Sequence, residues 1–185
     1  MQTLELINRA KSNDKVAFKG LVRLYSKWLL GLIKSLTTAS EAEDIAQEVW
    51  VIVWKNVRSL KDISKFKGWV RTIAVRQSIA YHKKLKILKD IVEIKNDIHA
   101  SEANQYRLLE TREQVEGFLK KLSFDQKTTF VLFELEGMSL KEISETLNIP
   151  EGTVKSRLSK IRALYMRILA SENESSCNEV CHVKT

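Results

Sequence analysis

Cysteine is missing from the first 176 residues, and the only two present, Cys177 and Cys181, stand close to the C-terminus. A disulfide framework holding a core together is therefore excluded. Proline occurs once and glycine six times. That is too few for the turn about every ten residues that a many-stranded sandwich or barrel requires. No run approaches the ~18 uninterrupted apolar residues of a membrane span. The opening MQTLELINRAKSND has no basic start, apolar core and small-residue cleavage site, so it is not read as a secretory signal and the expected compartment is the cytoplasm. Also missing are a Gly-rich phosphate loop, a paired-carboxylate signature and a nucleophile elbow. The sequence thus offers no basis for an enzyme, and no cofactor is expected.

What the chain does have is 44% apolar and 29% charged residues, the balance of a soluble globular protein. Lys plus Arg number 31 against 23 Asp plus Glu, a net charge of +8 that suggests a polyanionic partner. The distribution says more. Residues 61–89 carry +8 and 151–169 carry +4, while 90–116 between them carry −4. Two basic surfaces are joined by an acidic connector.

The apolar periodicity is helical throughout. From Phe18, the residues Leu21, Val22, Tyr25, Trp28, Leu29, Leu32, Ile33 and Leu36 recur at helical spacing. A second helix is expected from a cap at Ser40, with Glu41, Glu43 and Asp44 in its first turn, where the macrodipole favours negative charge. Its apolar face is Ile45, Val49, Ile52, Val53 and Val57, widened by Ala46, Trp50 and Trp54. A third runs from about Ser64 through Phe66, Trp69, Val70 and Ile73 to the basic Tyr81-His82-Lys83-Lys84. Residues 85–111 are polar and weakly periodic, a partly helical linker. Periodicity resumes at Val115, Phe118, Leu119 and Leu122 and ends at Gly137. Ser139 and Glu142 have capping-box spacing, Asn148 suits a left-handed C-terminal position, and Pro150 opens a long final helix. The expected fold is all-α: two small helical bundles, 1–84 and 112–170, joined by the linker 85–111 and followed by a tail, 171–185.

The strongest local signal is Ser139 to Leu158: a short capped helix, a tight turn and a second helix with basic and hydroxylic residues on its outer side. That is a helix-turn-helix. With Val154, Leu158 and Ile161 buried, Lys155, Ser156, Ser159 and Lys160 point outward near the helix start, where a recognition helix meets bases and phosphates. Thr153 and the first-turn N–H groups suit a phosphate.

The run Ile149-Pro-Glu-Gly-Thr-Val-Lys-Ser-Arg-Leu158, preceded by Leu140-Lys-Glu-Ile143, resembles the promoter-reading helix-turn-helix of the sigma-70 family of sigma factors, in its extracytoplasmic-function (ECF) group. The N-terminal half is similar to the same group in Ala42-Glu-Asp-Ile-Ala-Gln-Glu-Val49, in Trp54 and in Phe66-Lys-Gly-Trp-Val-Arg-Thr-Ile-Ala74. Both motifs stand in the family's order and spacing, over about residues 15–168.

The resemblance implies two sigma domains, 2 and 4, and a dissociable subunit that directs core RNA polymerase to promoters and assists melting. Glu43, Asp44, Gln47 and Glu48 would dock on the clamp helices of the largest polymerase subunit, although a helix first turn alone also accounts for acidic residues there; the polymerase flap is a further expected contact. Lys65, Phe66, Arg71, Arg76, Tyr81, Lys83 and Lys84 would read the downstream (−10) promoter element as it opens, since separated bases need aromatic planes and a cationic groove. Core packing is the other reading of Phe66, and the favoured one for Trp69. Thr153, Lys155, Ser156, Ser159 and Lys160 would read the upstream (−35) element. The family usually has Asn where Arg76 stands and Asp where Ala80 stands, so a −10 preference does not carry over. The acidic linker would thread toward the polymerase active-site channel, and an anti-sigma factor is an expected further partner. Cys177, Cys181 and His182 in the tail are three ligands where zinc usually takes four. A tail with incidental cysteines is the favoured reading, so no metal site is assigned. The competing reading is a stand-alone helix-turn-helix transcriptional regulator.

Overall fold

Asp14 opens the longest apolar stripe of the chain. Its carboxylate accepts the N–H groups of Val16 at 2.8 Å and Ala17 at 3.0 Å, the first free donors of the helix Lys15–Lys34. Those bonds, with the guanidinium of Arg9 at 2.8 Å, hold its carboxyl below the ordinary carboxylate range. A computed structural model of the chain describes residues 2–93 and 117–181, which are helices and turns with no β-strand among them. They divide between two units, Met1–Glu102 and Ala103–Thr185. The all-α, two-bundle expectation stands.

In the first unit, α1 (Gln2–Lys11), α2 (Lys15–Lys34), α3 (Ala39–Asn56) and α4 (Phe66–Glu93) surround one core. Leu21, Leu29 and Ile33 of α2 meet Ile45, Val49 and Val53 of α3 and Phe66, Val70 and Ala74 of α4, all essentially without solvent contact. Burying each of the larger aliphatic side chains contributes about 1.5–3 kcal/mol. The helix α1 was not expected. It joins through Ile7 and Ala10, both 1% exposed, and through the Lys11 ammonium, which donates to the Leu60 carbonyl at 2.6 Å. Two 3₁₀ turns, Val57–Ser59 and Ile63–Lys65, carry the chain from α3 to α4. Asp62 fixes the second turn by accepting from the Ser64 hydroxyl at 2.6 Å and N–H at 2.9 Å, bonds that lower its pKa.

One expectation changes here. The cap of α3 is Thr38, whose N–H donates to the Glu41 carboxylate at 3.0 Å, and not Ser40. The run Thr38-Ala39-Ser40 offers two hydroxyls with a Glu three residues on, so spacing alone does not choose between them. Helix α4 runs past residue 84 to Glu93, with no Gly or Pro after Gly68, in keeping with a partly helical start to the linker.

In the second unit a helical turn at 117–120 precedes α5 (Phe124–Phe130), which continues as a π-turn, Val131–Leu135. The wide turn closes with the Glu136 N–H on the Val131 carbonyl at 3.1 Å and buries consecutive Val131 and Leu132. Gly137, at φ +63°, turns the chain out of it, a conformation that favours glycine. Then come α6 (Leu140–Leu147) and α7 (Glu151–Cys181). The Ser139 hydroxyl accepts the Glu142 N–H at 3.3 Å and the Glu142 carboxylate accepts the Ser139 N–H at 2.9 Å, so the capping box is formed. Asn148 is left-handed at φ 55°, as its place in the sequence suggests. The Ser144 hydroxyl and carbonyl both bond Ile149, at 2.5 and 3.1 Å, which locks the turn before α7.

Replacing Ser139 with Ala should cost this unit about 1 kcal/mol. All four tryptophans (Trp28, Trp50, Trp54 and Trp69) lie in the first unit. The urea transition followed by circular dichroism should therefore shift while the one followed by tryptophan fluorescence stays put.

Candidate nucleic-acid and protein interfaces

On α7 the side chains separate cleanly. Val154, Leu158 and Ile161 are buried, whereas Lys155, Ser156, Ser159 and Lys160 are exposed and Thr153 is half-buried. Five of the predicted residues thus share the outer side of the helix that follows the turn. Two details add to the sequence reading. The N–H groups of Thr153 and Val154 already bond the Pro150 carbonyl, at 2.9 and 3.2 Å, so the start of α7 has fewer donors left for a phosphate. Arg157, in the same motif, reaches back to α5 and pairs with Asp125 at 2.5 Å. Its charge is used in joining the two helices.

On α3, Glu43, Asp44, Gln47 and Glu48 are all exposed, backed by the buried Ala42, Ile45 and Val49. Glu41 is not part of this set, since it caps the helix. Farther along α3 the surface becomes apolar. Trp50, Val51 and Trp54 form, with Phe18 and Lys15 of α2, an open groove of about 330 Å³. The Phe18 ring sits 4.8 Å from Trp54 and 6.0 Å, edge on, from Trp50. Sequence reading has both tryptophans widening the apolar stripe; they are half-buried at its margin and line an open groove.

The basic side of α4 and its preceding turn presents Lys65, Arg76, Lys83 and Lys84 to solvent, with Arg71 and Tyr81 half-buried. Ala80 is exposed among them. Phe66 does not belong to this surface. It is 1% exposed, packed between Tyr25 at 5.5 Å and the half-buried Trp69 at 6.1 Å, so no base can stack on its ring in this conformation. Its position just inside a helix start left both readings open in the sequence; packing against α2 decides for the core. Sequence reasoning also missed an aromatic partner for the charge. The Lys67 ammonium lies 4.9 Å above the ring of Trp28, a residue of α2. No local pattern joins positions 28 and 67.

The tail candidates Cys177, Cys181 and His182 are beyond the side chains the structure describes, and residues 94–116, with most of the expected linker 85–111, lie outside the described residues. Among the described residues no cluster of His, Cys, Asp and Glu could hold a metal ion, and no helix is long and apolar enough to cross a membrane.

Known proteins share this arrangement. The family model for sigma-70 region 2 matches residues 21–86, and that for sigma-70 region 4 matches residues 112–164. The ECF RNA polymerase sigma factor SigW of Bacillus subtilis is 30% identical over 183 residues, covering 88% of this chain and 94% of that protein. The ECF RNA polymerase sigma-E factor of Haemophilus influenzae is 29% identical over 175 residues, with 86% and 90% covered. Among solved structures, the sigma factor RpoE in complex with the anti-sigma factor NepR from Bartonella quintana superposes with a TM-score of 0.64 at 25% identity, covering 83% of this chain and 96% of that one. CnrH, solved in complex with the cytosolic domain of CnrY, shares the fold at a TM-score of 0.60 and 20% identity, over 92% and 99% of the chains.

Proposed function

Because the chain belongs to the ECF group of the sigma-70 family of RNA polymerase sigma factors, we propose that its two helical units divide promoter recognition between them. As a sigma factor it directs core RNA polymerase to particular promoters for initiation. In our reading the first unit holds the polymerase and the opened −10 element, and the second reads the −35 duplex. Glu43, Asp44, Gln47 and Glu48 dock on a basic helical surface of the polymerase. Their exposure on one helix supports this, since grouped carboxylates favour Arg forks and steer encounter. Lys65, Arg71, Arg76, Tyr81, Lys83 and Lys84 form the cationic track for the separated strand. The chain contributes binding and no catalytic step, acts in the cytoplasm with the polymerase, and is held in check by an anti-sigma factor.

The observation that carries this reading is the clean division of α7 between a buried apolar row and the exposed Lys155, Ser156, Ser159 and Lys160, just after a capped and locked turn. That geometry suits major-groove entry. Replacing Lys155 and Lys160 with Ala should weaken −35 use by about 1–3 kcal/mol for each true base contact, measured as transcription by core polymerase on genomic fragments. Unchanged promoter output would reassign that side of the helix. If the protein bound duplex specifically by itself and added no initiation to core polymerase, the stand-alone regulator would replace the sigma factor.

A further inference from the structure

Of the eight exposed positions on α2, five are cations, Lys15, Lys19, Arg23, Lys27 and Lys34, and none is a carboxylate. Lys15, Lys19, Arg23 and Lys27 recur at every fourth residue and form one ridge over about 18 Å of helix. The Lys67 ammonium of α4, 4.9 Å from the ring of Trp28, adds a further positive charge at the level of Lys27. Like charges one turn apart repel and weaken a helix. Compensation is close by, since α3 packs beside α2 and carries Glu43, Asp44 and Glu48 in the open. Yet among the described residues none of the five cations makes an ion pair, with α3 or with any other element. Charges set for stability alone would interleave the two signs. Kept apart, each sign is left for a partner of the opposite one. A lipid surface takes up a helix by its apolar face, and that face of α2, with Leu21, Leu29 and Ile33, is buried in the core. Cations repeated at a fixed step suit evenly spaced phosphates.

We propose that the outer ridge of α2 is a phosphate track for double-stranded promoter DNA beside the opened segment, in addition to the surface formed by Arg76, Lys83 and Lys84 on α4. It sets affinity and its salt dependence and reads no sequence. The ridge is as long as about five phosphates of one strand, at about 3.4 Å each along the duplex axis. The inference rests on reading the first unit as the half that holds promoter DNA near the −10 element.

The test uses holoenzyme assembled from core polymerase and the full chain, with assembly measured first by gel filtration. The probe is a fluorescent duplex promoter fragment, titrated over a series of salt concentrations. Lys19→Gln, Arg23→Gln and Lys27→Gln together should flatten the slope of log K against log salt concentration by about 2 or more, since each phosphate contact contributes about 0.9. Affinity should fall about tenfold or more, by the same factor on promoters that differ in the −10 element. A photoreactive phenylalanine incorporated at position 23 of the otherwise unchanged chain should crosslink to the duplex, and this result decides if the triple variant does not assemble. The proposal is overturned if the triple variant keeps the wild-type slope and affinity, or if the position-23 crosslink goes to a polymerase subunit and not to DNA. Unchanged DNA binding with lost binding to phosphatidylglycerol vesicles would make the occupant a membrane, and overturns it too. Neutralising Arg76, Lys83 and Lys84 separates this inference from the reading it rests on. If that variant weakens DNA binding and the α2 variant does not, the ridge alone fails; if neither does, the first-unit reading fails with it.

Discussion

Replacing Asp44 and Glu48 together with Lys should abolish association with core RNA polymerase while leaving helicity intact. Both carboxylates are exposed on α3, so in the free protein their reversal disturbs no buried partner. The helix is held from behind by Ala42, Ile45 and Val49, and its cap is Thr38 with Glu41, none of which the substitutions touch. At the interface the effect is large. On the proposed docking, two favourable pairings would become like-charge contacts, each costing several kcal/mol once water is excluded. Association should fall by more than about a hundredfold, which is about 2.7 kcal/mol or more. Co-purification with polymerase measures this, with circular dichroism as the check on folding. Wild-type association should also weaken as ionic strength rises, because exposed charges are screened within about 10 Å at 0.1 M salt. A variant that co-purifies normally would remove these residues from the interface.

Phe66→Ala should destabilise the first unit by about 3–5 kcal/mol, the usual cost of deleting a buried aromatic ring and leaving its cavity. The ring is 1% exposed and bridges Tyr25 of α2 and Trp69 of α4. Trp69 is one of only four tryptophans, all in this unit, so its emission should change with the loss. Urea unfolding followed by fluorescence gives the number. A base-stacking role would show the reverse pattern: unchanged stability and impaired promoter opening. The contrast separates the two readings that the residue's position alone left open.

Most of the fold was legible because its signals are local. The stripe from Phe18 to Leu36, the Ser139–Glu142 box and the left-handed Asn148 each depend on residues within a turn or two, and each is where periodicity and cap chemistry put it. The outward row of α7 was legible for the same reason, since burying Val154, Leu158 and Ile161 leaves one side free. What escaped depends on contacts distant in sequence. Helix α1 gains its place from Lys11 reaching Leu60, the depth of Phe66 is set by α2, and Trp50 and Trp54 border a groove only because Phe18 stands across from them. The pairing of Arg157 with Asp125, 32 residues apart, needed α5 to be in place.

The unbroken run of α4 to Glu93 makes the basic surface and the exit of the chain parts of one rigid shaft. Its 28 residues span roughly 42 Å at about 1.5 Å each. Adding a single residue after Lys86 would rotate the shaft's far end by about 100°, while four would carry it about 40° past a full revolution. The spacing between the side chains proposed to hold the strand and the end of α4 is thus a matter of phase as well as length, and natural insertions there should come in whole turns.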